Sequence, residues 1–140
     1  MPEYLRPPLL ATLFALAFFG VCFLQSGLDK VTDRKGNLDW LSPHFAKSPF
    51  RGIVPLLLSV LTLLEVGSGT ACSAAIVSVL AGGPAWAATG ALSLVCLTLL
   101  CLFAGQRLSK DYVGAAVLAG YSAVALLGLM ASGAAVLVQN

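Results

Sequence analysis

Charge is what this sequence has least of. Of its 140 residues only 10% are Asp, Glu, Lys or Arg, while 59% are hydrophobic and the mean hydropathy is +0.93. Water-soluble domains carry about 25% charge, so the chain is expected to reside in a lipid bilayer. A net charge of +2 provides no basic surface of the kind that binds nucleic acid. Histidine occurs once, at His44, which excludes a bis-histidine haem or a two-histidine metal site within the chain. The four cysteines, Cys22, Cys72, Cys96 and Cys101, form no C-x-x-C pair. A phosphate-binding glycine loop and a nucleophile–base pair are also lacking. These absences leave no nameable catalytic residue, no metal-ligand set and no covalently bound cofactor.

What the sequence does have is long apolar runs. A spanning helix needs roughly 20 apolar residues, and the gaps between charges accommodate four, at about 9–28, 53–80, 85–104 and 112–138. The expected fold is all-α: a single integral membrane domain over 1–140, built as a four-transmembrane-helix bundle. The stretch Leu9 to Leu24 is longer than a secretory signal core and no A-x-A site follows it, so it is read as a retained first span. Pro7, Pro8 and Pro55 stand in first turns, where a missing N–H costs nothing. Gly82-Gly83-Pro84 divides the second span from the third.

Between the first two spans lies the one substantial polar segment, 29–52, with five of the eight basic residues. Leu38, Leu41 and Phe45 fall on one helical face, with Trp40 and His44 one turn apart beside it. This pattern predicts a short helix in the headgroup region, anchored by Trp40 and His44 and N-capped by Asn37. Pro43 equally allows two turns broken at Ser42. Seven basic residues fall in loops one and three against Arg6 alone on the other side. The positive-inside rule therefore places this loop in the cytoplasm and both termini outside, and the expected location is the bacterial inner membrane.

Glu65 is the one acid inside a span. Counting from Ile53 at 1.5 Å per residue, it lies roughly 18 Å deep, where an unpaired charge costs about 2.5–3.5 kcal/mol. It is either a proton-carrying or ligand-binding carboxylate, or a clasp hydrogen-bonded to a neighbouring helix. Gln25, Lys30 and Gln106 complete the candidate polar site, nearer the cytoplasmic face. On this depth count Lys30 does not reach Glu65. Gly27, Gly67, Gly69 and Gly120 are candidate close-packing positions, as are the rows Ala115, Ala119, Ala123 and Ala116, Gly120. Tyr121 is a further polar group in the fourth span, read as packing. Cys22 and Cys96 fall at similar depth and so could be neighbours, and all four thiols are read as small packing residues.

An N-terminal Arg6, a first span ending in Gly27-Leu28-Asp29-Lys30, and a second span carrying Glu65-Val66-Gly67-Ser68-Gly69 resemble the DoxX family of small four-helix membrane proteins. The resemblance implies a redox context, with a quinone or lipid as a possible ligand and other membrane subunits as partners besides the bilayer. The leading expectation is an auxiliary or anchoring subunit of a membrane redox assembly, without catalytic activity of its own. A quinone- or thiosulfate-linked oxidoreductase component is the alternative, with its site near Gln25, Lys30 and Glu65. A small proton-coupled transporter using Glu65 is another.

Overall fold

A computed structural model describes residues 6–139. Five helices follow in order: α1 (Pro7–Thr32), α2 (Arg34–His44), α3 (Val54–Leu80), α4 (Trp86–Leu108) and α5 (Tyr112–Gln139). Four of them, all but α2, are long and apolar enough to cross a membrane, and no strand occurs among the described residues. α1 packs most extensively on α3, α3 on α4, α4 on α5, and α5 returns to α1, which closes a four-helix ring.

The helix ends follow local chemistry. α3 and α4 finish in the same way, with a 6→1 backbone bond, Gly83 to Ser78 in one and Asp111 to Gln106 in the other. Such an ending puts the penultimate residue in the left-handed region. Gly82 takes that position freely at φ 81°, while Lys110 takes it at φ 62° at the cost of its Cβ. Asp111 then caps α5 by accepting from the Gly114 N–H. Asp33, not Asn37, caps α2, with its carboxylate accepting from the Gly36 N–H at 3.1 Å. Asn37 lies a turn further in and bonds back to Asp29 and Asp33. α2 runs unbroken through Ser42, because Pro43 falls in its last turn and removes only one ladder bond.

Glycine sets the α1–α3 register. A Cβ on Gly27 would meet the Val66 backbone N at 3.1 Å, and one on Gly69 would meet the Leu24 backbone N at 2.8 Å. Gly20 faces Cys72 and Ser73, and the Arg34 guanidinium donates to the Ser59 hydroxyl. These pairs run antiparallel in one register. Gly67 and Gly120, expected to pack in the same way, have nothing within 4 Å of a Cβ. The contact in α5 is made instead at Gly128, against Ala15. Of the expected α5 rows only Ala115 is buried, while Ala116, Ala119, Ala123 and Gly120 are exposed. The buried line is Ala115, Ala125, Gly128, Ser132 and Ala135. A strict four-residue repeat drifts off the face of a helix with 3.6 residues per turn.

Buried apolar side chains form two clusters. The larger gathers Leu16, Phe19 and Phe23 of α1 with Cys72, Leu92, Val95 and Leu99. The smaller packs Leu41 and Phe45 on Val54 and Leu58 of α3, with Leu38 at its edge. The apolar face of α2 thus rests on the first turns of α3. Between the two clusters lies a polar layer.

Candidate functional site

That layer is built around Glu65. Its residue is 2% exposed, and the Lys30 ammonium approaches its Oε2 at 2.8 Å. The Ser26 hydroxyl donates to the same oxygen at 3.0 Å and accepts from Lys30 at 2.9 Å. Ser26 and Lys30 are four residues apart on α1, and so share one face. The result is a closed triangle tying α1 to α3, in which Oε2 accepts twice and the serine both donates and accepts.

Direct contact of Lys30 with Glu65 corrects the depth count. That count ended α1 at Leu28 and set the ends of the first two spans level. Helix α1 instead continues to Thr32, and the glycine register sets that end beside Leu61. α3 therefore projects about two turns, or roughly 10 Å, past it. α2 covers those turns. On that register Lys30 falls opposite position 63, about 3 Å along the axis from Glu65, and its four-carbon stem carries the ammonium across to Oε2.

Gln25 and Gln106 part company. Gln25 is exposed on α1 and lines a cavity of about 240 Å³ together with Ser26, Glu65, Cys22 and Tyr121. Gln106 joins His44, whose Nε2 lies 2.9 Å from the Gln106 Oε1 and 3.1 Å from the Ser109 hydroxyl. An amide oxygen only accepts, so Nε2 carries the hydrogen in this arrangement. Asp111 stands 3.9 Å away on the same side. The His44 ring stacks on Trp40 at a centroid distance of 4.7 Å, while Trp40 itself is exposed. A second cavity, about 190 Å³, is lined by Lys30, Trp40, His44 and Gln106. Leu102 borders both cavities, and the ion pair presents Lys30 to one and Glu65 to the other.

Two smaller polar contacts join the remaining helices. The hydroxyls of Ser68 and Thr98 meet at 2.8 Å between α3 and α4, and the Thr89 hydroxyl donates to Ser132 at 3.1 Å between α4 and α5. All four cysteines are free thiols. Cys22 and Cys96 line different cavities, the latter one of about 500 Å³ between α4 and α5. No group of three His, Cys, Asp or Glu side chains capable of holding a metal occurs among the described residues.

The partnership of His44 with Gln106 escapes sequence reasoning, since the two are 62 residues apart and on different helices. For Ser26 a signal existed: it is four residues before Lys30, on the face that Gly27 brings close to α3. Compared with models of known families, with curated proteins and with solved structures, the chain has no match.

Proposed function

We infer that the chain is an accessory subunit of a redox assembly in the bacterial inner membrane, anchoring its partners rather than performing chemistry alone. The observation that carries this reading is the Lys30–Ser26–Glu65 triangle. A carboxylate already neutralised by an ammonium and joined to a second helix serves best as a clasp. With one histidine and no C-x-x-C pair, electron transfer in such an assembly runs through a cofactor held by another chain. The two stretches that resemble DoxX meet at the same place. Gly27 and Lys30 of its first motif face Val66 and Glu65 of its second, so two short motifs describe one helix contact.

In this reading α2 lies at the cytoplasmic headgroups with Trp40 as its anchor, and both termini face outward. A cysteine replacing the exposed Lys35 is then labelled by an impermeant thiol reagent only in inside-out vesicles. Labelling in right-side-out vesicles reverses the topology.

Purification of the tagged chain in mild detergent tests the function. Cofactor-bearing subunits are expected in fixed stoichiometry, with their visible absorbance in the same fraction. A chain that runs alone and turns over quinone or thiosulfate unaided defeats the reading. So does a Glu65→Gln variant that keeps abundance and partners but loses a quinone- or proton-linked activity of the assembly. The oxidoreductase-component reading is favoured by one observation, the cavity that Gln25 and Glu65 line. The transporter reading is weakened by Lys30, whose ammonium already holds Glu65 in an ion pair.

A further inference from the structure

One oxygen of Glu65 remains unused. Oε2 takes both hydrogen bonds, and Oε1 takes none from any described residue. Among the described residues no sealed side-chain nitrogen or oxygen lacks a partner, so Oε1 must reach open space. Of the two cavities at the ion pair, only the one of about 240 Å³ has Glu65 in its wall. A carboxylate side chain 3% exposed, with one oxygen free of described partners, therefore borders a cavity lined by α1, α4 and α5.

The rest of the wall says what fits. Gln25 and Tyr121 line it with no hydrogen bond to any described residue, which leaves an amide and a phenol able both to donate and to accept. Phe19, Phe23, Leu99 and Leu118 supply apolar surface below them. Gln25 is exposed and Cys22 half-exposed, so the cavity opens sideways, towards the bilayer. A dry cavity of about 150 Å³ holds a benzene, and this one is larger.

Charge narrows the choice. Lys30 and Glu65 together are neutral, and the group facing the cavity is the carboxylate. A phosphate head would be repelled by Oε1, and an ammonium head would meet the Lys30 charge across the same carboxylate. An uncharged donor is left. The geometry points to a lateral site for the hydroxylated, uncharged head of a neutral glycerolipid, with one hydroxyl donating to Glu65 Oε1 and a second bonding Gln25 or Tyr121. The acyl chain passes out between α1 and α5 into the bilayer. The site does not depend on the accessory-subunit reading, since it requires no partner chain.

Photolabelling in nanodiscs tests it with the full chain. One probe is a monoacylglycerol carrying a diazirine near its head, and the control is the methyl ester of the same diazirine fatty acid, which lacks the hydroxyls. The monoacylglycerol is expected to label the segments 19–26 and 118–121 at least tenfold more than the ester, and unlabelled monoacylglycerol should compete. Cys22→Phe fills the cavity and leaves both members of the ion pair in place. It should abolish the saturable labelling while the thermal midpoint holds. If Cys22→Phe does not fold, Tyr121→Phe with Gln25→Leu substitutes for it, with a tenfold loss of competition expected. Equal labelling by both probes, labelling without saturation, or labelling indifferent to these substitutions overturns the site. Success or failure of copurification leaves this outcome unchanged, so the two proposals fail separately.

Discussion

The molecule has two polar clusters that do the same job at different depths. Lys30, Ser26 and Glu65 join α1 to α3 with side-chain exposures of 15% and 3% for the charged pair. His44, Gln106, Ser109 and Asp111 join the end of α2 to the α4–α5 turn, with 17% and 31% exposed at His44 and Asp111. Both use hydrogen bonds near 3 Å between helices. They differ in what replaces the bond when it breaks. Water can reach the second cluster from the loop side, and Lys30 borders the cavity it shares with His44, whereas Glu65 lies between two apolar clusters with Lys30 and Ser26 as its partners. Geometry alone would rate the two alike, and burial separates them.

The largest effect should follow from breaking the buried pair one side at a time. Glu65→Leu leaves an ammonium without its carboxylate, and Lys30→Met leaves a carboxylate without its cation. Each is expected to cost about 3–5 kcal/mol, because an unpaired buried charge remains. The double variant Lys30→Met with Glu65→Leu removes both charges and should recover most of that loss. Unfolding titrations in mixed micelles measure all three. A double variant no more stable than the worse single one would mean that the pair is not a self-contained clasp.

Next in size is a comparison of two glycines on the same helix. Gly69→Ala drives a methyl into the Leu24 backbone, which can yield only by moving α1, at a cost of about 1–3 kcal/mol. Gly67→Ala has nothing within 4 Å and should be neutral or stabilising by up to about 1 kcal/mol, the difference in helix propensity. Equal effects at the two positions would show that propensity rather than close approach governs this helix.

The same contrast explains how much could be read from the sequence. Apolar stretches and charge gaps locate four spans because the bilayer imposes length and hydropathy on each helix separately. The Leu38, Leu41 and Phe45 face was legible too, since periodicity is local. Contacts between helices were not. Four glycines looked equivalent, yet Gly27 and Gly69 meet backbone and Gly67 and Gly120 meet nothing, because helix rotation decides which face is used. Lys30 and Glu65 seemed out of reach for a related reason: depth counted from span ends assumes level ends, and α1 stops two turns short of α3. Had Gly27 and Gly69 been set against each other's helix first, the register would have followed and with it the ion pair. Gln106 and His44 offered no such guide, because neither is unusual for its own helix.

The smallest expected effect belongs to the second cluster, and it completes the comparison. His44→Ala removes the Nε2 bond to Gln106 and the stacking on Trp40. Gln106→Ala removes the bond and keeps the stacking. Net hydrogen bonds contribute about 0.5–1.5 kcal/mol, and water can partly replace this one. Each single variant should therefore lose about 1 kcal/mol. The double variant should lose less than the sum, since both substitutions delete the same bond. The coupling energy is the decisive quantity. If it stays below about 1 kcal/mol while that of Lys30 with Glu65 exceeds about 2 kcal/mol, burial sets the worth of a polar contact here, as the two environments imply. If the couplings come out alike, the α2 end of the bundle is as dry as its middle, and α2 seals it rather than resting on it.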